Sequence, residues 1–74
     1  MMTDDLRQLV RQAPFRPFRL HLADGRNIEV PHPDYIFILH HEPVAIVERE
    51  GGGTEWVNLP TVTSIEVLPE SDAA

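Results

Sequence analysis

The sequence predicts a mainly β domain behind one N-terminal helix, folded as a small barrel or a strongly bent antiparallel sheet. Three observations predict it. An apolar stripe at helical spacing opens the chain, and the pattern then switches to strict alternation. Gly and Pro punctuate the short apolar runs that follow.

Seventy-four residues without a cysteine amount to one small domain, held by packing alone. It is expected to span residues 1–68, with 69–74 as a polar, flexible tail. The helix is expected over about residues 4–13. Thr3 is its candidate N-cap, and Asp4 and Asp5 suit the positive end of the dipole. Leu6, Leu9, Val10 and Ala13 form one stripe, Arg7 and Arg11 lie on another face, and Pro14 stops the helix. About three turns do not survive undocked in water, so the stripe must pack on something.

Beyond the connector Pro14-Phe15-Arg16-Pro17, Phe18, Leu20 and Leu22 alternate with Arg19 and His21. After Asp24-Gly25, Ile28 and Val30 alternate with Asn27 and Glu29. A two-residue loop would set Leu20 opposite Glu29 and mix apolar with polar on each face. A three-residue loop, Ala23-Asp24-Gly25, pairs Leu20 with Ile28, Phe18 with Val30 and Arg19 with Glu29. The second register is expected, with Gly25 in the left-handed position of a G1 bulge.

Pro31-His32-Pro33-Asp34 interrupts the sheet, since proline donates no ladder hydrogen bond. Tyr35–Leu39 is a strand apolar on both faces. His41-Glu42-Pro43 turns the chain into the strand Val44–Val47, which becomes polar at Glu48-Arg49-Glu50. Gly51-Gly52-Gly53 reverses it into Thr54–Val57, and Leu59-Pro60-Thr61-Val62 forms a tight 3₁₀-like turn. Thr63–Leu68 is the last strand, with Ile65 and Val67 facing inward. Five or six short strands result. A helix first and a tight turn before the last strand make SH3-like or Sm-like barrels the nearest architectural analogy, which carries no function with it.

Composition excludes several classes. Twelve acidic residues against six arginines, and no lysine, set a net charge of −6 that repels phosphate backbones. No apolar run approaches the roughly 18 residues of a membrane span, and no basic-then-apolar leader opens the chain. A cytoplasmic location without membrane contact is expected.

Pro14-Phe15-Arg16-Pro17-Phe18, His21-Leu22-Ala23-Asp24-Gly25-Arg26 and His32-Pro33-Asp34 together resemble a group of short bacterial proteins. The group pairs a PFRPF element with HLADGR and an HP-acidic tripeptide, and closes on a strand like Val62-Thr63-Ser64-Ile65-Glu66. The resemblance covers most of the chain and implies no activity. It departs at Leu59-Pro60-Thr61, where aliphatic residues are expected.

No catalytic, cofactor or metal site is expected. His40 and His41 are adjacent, so along a strand they point to opposite faces, and no H-x-H or H-x-x-x-H spacing occurs. Ser64 and Ser71 lie in no nucleophile motif, and the glycine run has no phosphate-loop lysine. His32-Pro33-Asp34 spells the tripeptide of J-domain co-chaperones, but strands rather than helices flank it. It reads instead as a rigid turn in which Asp34 caps local amides.

Arg16, Arg19, His32 and Asp34 are the binding candidates; Arg16 and Arg19, clustered in sequence with Arg26 and His21, would suit a small anion or carboxylate. The bland alternative pairs Arg19 with Glu29 and leaves the rest solvated. Tyr35, Phe37, Ile38 and Trp56 are the interface candidates. One face of Tyr35–Leu39 must fill the core, and the helix, a second subunit or another protein must cover the other. The expected role is a non-enzymatic binding or assembly module, self-associating as a homo-oligomer. The alternative is an Sm-like nucleic-acid-binding module, which the acidic charge disfavours.

Overall fold

The computed structural model describes residues 2–69, so most of the expected tail lies outside the described residues. Helix α1 spans Met2–Arg11. It differs from the expectation at both ends. Thr3 sits inside the first turn rather than capping it, and Ala13 lies outside the helix and exposed. The early stop follows from Pro14, whose ring disfavours helical geometry in the residue before it. Leu6 is fully buried, while Leu9 and Val10 pack against the core from its margin. Among the described residues no helix is long and apolar enough to cross a membrane.

Among the described residues six strands follow: β1 (Phe18–Leu22), β2 (Asn27–Val30), β3 (Ile36–Ile38), β4 (Val44–Glu48), β5 (Thr54–Asn58) and β6 (Val62–Val67). They form two three-stranded antiparallel sheets, in the orders β2-β1-β6 and β3-β4-β5. The inward side chains of both sheets join Leu6, Leu59 and Val62 in one core.

The β1–β2 register is the one that facing patterns require, with Leu20 opposite Ile28 and Phe18 opposite Val30. Gly25 donates its amide to the Leu22 carbonyl at 3.0 Å, and Leu22 donates to Arg26 at 2.8 Å. Gly25 takes φ +92°, and a Cβ there would meet open space. Gly25→Ala is therefore expected to lower stability by roughly 1 kcal/mol through backbone conformation alone. Urea denaturation checks this: the midpoint drops with the slope unchanged, and an unshifted midpoint would contradict it.

Between the sheets the chain turns through a 3₁₀ segment, Pro33–Tyr35. Here the expected cap is reversed. The Asp34 amide donates to His32 Nδ1 at 3.1 Å, so the imidazole does the capping. The Asp34 carboxylate stands 3.6 Å from the same ring nitrogen and is largely exposed. A second 3₁₀ turn, Leu59–Thr61, leads into β6, where the sequence placed a tight turn. Thr61 Oγ1 donates to the Asn58 carbonyl at 2.6 Å, and Leu59 drops into the core at 1% exposed.

Ile65 and Val67 pair with Leu20 and Phe18, as inward-facing residues should. β6 lies at the margin of its sheet, however, and Val67 there remains 40% exposed.

Candidate interaction surface

Tyr35–Leu39 could have turned either apolar face inward. Ile36 and Ile38 are the inner pair, which removes Ile38, at 8% exposed, from any outer surface. Phe37 points outward and is 54% exposed. Helix α1 does not cover it. Its Leu6 enters the core, and Arg7 donates to the Leu39 carbonyl at 2.8 Å, so the helix lies along the margin of β3.

Register makes Phe37 part of a row. Phe37 stands opposite Ile46 on β4, and Ile46 opposite Trp56 on β5. Trp56 is 69% exposed, and half-buried Ile46 lies between the two aromatics. Tyr35, the remaining interface candidate, is half-buried beside this row, its ring 6.3 Å from that of His32. The His40 ring meets Phe37 edge-on at 6.1 Å. Sequence reasoning picked out both aromatics but missed Ile46, which joins them. Pairing Val44–Glu48 against Thr54–Asn58 across the glycine loop would have found it, because alternation then puts residues 46 and 56 on one face.

The four binding candidates do not converge on one site. Arg19 lies on the outer face of the first sheet, where its guanidinium contacts Glu29 at 2.7 Å and Glu66 at 3.2 Å. His21 Nε2 stands 2.9 Å from the same Glu66 carboxylate. The hydrogen bond to Glu29 raises the Arg19 pKa, and Glu66 is held below its ordinary value first by His21 and further by Arg19. Arg16 donates to the Leu68 carbonyl at 3.0 Å, while its buried Nε finds no partner among the described residues. His32 and Asp34 do come together, but in the local cap.

A second network ties the hairpin tip to β5. Arg26 reaches Asp24 at 3.0 Å and Glu55 at 2.9 Å, and Arg49 also contacts Glu55. The Arg26 side chain depresses Glu55, and the Arg26 backbone amide is the main cause of the Asp24 depression. Arg26 itself is raised, chiefly by Glu55.

The sign of the pH dependence follows. Carboxylates depressed by folding contribute stability that is fully present above their unfolded values, 3.8 for Asp24 and 4.5 for Glu55 and Glu66. That contribution is lost as pH falls through the lower folded values. The urea midpoint is expected to hold from pH 7 to about pH 5 and then decline. Glu66→Gln should flatten the decline in part, and a wild-type midpoint that stays level down to pH 3 would rule the networks out as a source of stability.

Among the described residues no group of three or more His, Asp or Glu side chains is arranged to hold a metal ion. No known protein family, curated protein or solved structure matches this chain.

Proposed function

We propose that the protein is a non-enzymatic assembly module that associates with itself through the outer face of the β3-β4-β5 sheet. One observation carries the reading: the exposed cross-strand row Phe37–Ile46–Trp56. Large apolar groups gathered on one face of a small domain mark interaction surfaces, and aromatics dominate interface energetics. The architecture supporting it is an SH3-like barrel. In favour of that are the two-sheet strand order, the break at Pro31–Pro33 between β2 and β3, and the 3₁₀ turn before β6.

Magnitudes favour a modest affinity. The row leaves roughly 300 Å² of apolar surface exposed per copy. Burying twice that area is worth about 15 kcal/mol before costs, and association itself costs about 4–15 kcal/mol. A dimer in the micromolar range fits that difference.

Sedimentation velocity across a dilution series tests the reading. The wild type should shift from dimer to monomer over micromolar concentrations. Phe37→Glu and Trp56→Glu should stay monomeric with unchanged melting, because both positions are exposed. A single monomeric wild-type species throughout would overturn it.

A further inference from the structure

Phe37 sits between two depressions of opposite character. On the α1 side, one of about 140 Å³ is lined by Arg7, Arg11 and Val10 together with β3. On the other side, one of about 500 Å³ is lined by Asp34, Glu48, Tyr35 and Ile46. Phe37 contributes to both walls.

The charges around it are unspent. Arg19, Arg26 and Arg49 are engaged by carboxylates, but among the described residues none lies within ion-pair distance of Arg11. Arg7 is turned to the Leu39 carbonyl. Among the described residues Asp34 has only His32 near it, and Glu48 has no cation within that distance. Arg11, Asp34 and Glu48 are all exposed.

We propose that a second copy of this chain docks with Phe37 beside a two-fold axis, so that Arg11 of each copy enters the Asp34/Glu48 depression of the other. A two-fold operation requires a self-complementary patch, in which the group on one side of the axis meets its opposite across it. The surface around Phe37 has that form, an arginine on one flank and two carboxylates on the other. The guanidinium suits the acidic depression twice over, since its fork meets carboxylates and its plane stacks on the Tyr35 and Phe37 rings. Symmetry makes each contact twice. Two copies each carrying −6 repel at long range, and a matched arginine offsets this where the copies meet.

The inference rests on the self-association reading, and a charge swap separates the two. Arg11→Glu should weaken the dimer by at least about tenfold in sedimentation equilibrium, as should Glu48→Arg. The double variant Arg11→Glu/Glu48→Arg re-forms the pair between positions 11 and 48, with Asp34 left opposing it, and should regain a measurable part of that affinity. Far-UV circular dichroism and melting of each variant confirm that the monomer is intact, and Arg11→Gln serves if Glu frays the helix end. A wild-type dimer that Arg11→Glu leaves untouched, or that the double variant fails to restore, would overturn this docking while self-association stands. A wild type that never dimerises overturns both.

Discussion

Phe18→Ala is expected to remove a large share of the stability of the domain. Phe18 is fully buried at the start of the central strand β1, between Val30 of β2 and Val67 of β6, and its ring lies 5.8 Å from Phe15. Truncating a buried phenylalanine costs about 3–5 kcal/mol, from lost transfer energy and the cavity left behind. A chain of 74 residues has roughly 4–11 kcal/mol in total. A loss of that size is from about a quarter to the whole of the total, so the variant should show a clearly lowered urea midpoint and a broadened thermal transition. A loss below about 1.5 kcal/mol would mean that neighbouring strands collapse into the space, and that Phe18 is not the centre of the core.

Leu6→Asp should be more damaging still. Leu6 is the one residue of α1 that is fully buried, packed among side chains from both sheets. Among the described residues no polar or charged residue is buried in this core, and an isolated buried charge is not tolerated. The ten-residue helix cannot hold itself together once its anchor is gone. Far-UV circular dichroism at neutral pH should show loss of both helix and cooperative melting. Leu9→Asp provides the internal comparison. Leu9 is half-buried beside Ile65, at a depression open to solvent, so its carboxylate can reach water and the variant should keep a cooperative transition. If the two substitutions prove equally mild, α1 is an arm rather than part of the core.

Local chemistry made much of this protein readable. The β1–β2 hairpin was legible because one face of each strand is apolar and the other polar. A slip of one residue would set Glu29 opposite Leu20 on the inward face, and the loop Ala23-Asp24-Gly25 supplies the turn that avoids it. The 3₁₀ turn at Leu59–Thr61 and the break at Pro31–Pro33 were legible for a similar reason, since proline restricts its own residue and the one before it. The cap at Pro33–Tyr35 was not, because His32 and Asp34 can each accept from a nearby amide, and only the folded backbone brings the Asp34 amide to the imidazole.

By itself, then, the sequence determined the elements whose two faces differ: the helix stripe, the hairpin register and the positions of the turns. The tertiary structure alone decided the rest. Which face of Tyr35–Leu39 turned inward came with its pairing to β4, which sets Ile36 beside Val47 and Ile38 beside Ala45, because both faces are apolar and alternation cannot rank them. The partners of Arg19 divide the same way. Glu29 faces it across a short hairpin and could be read off, whereas Glu66 lies 47 residues away and arrives only when β6 pairs with β1. The exposed row of Phe37, Ile46 and Trp56 comes from three strands, and only their assembly into one sheet brings it together.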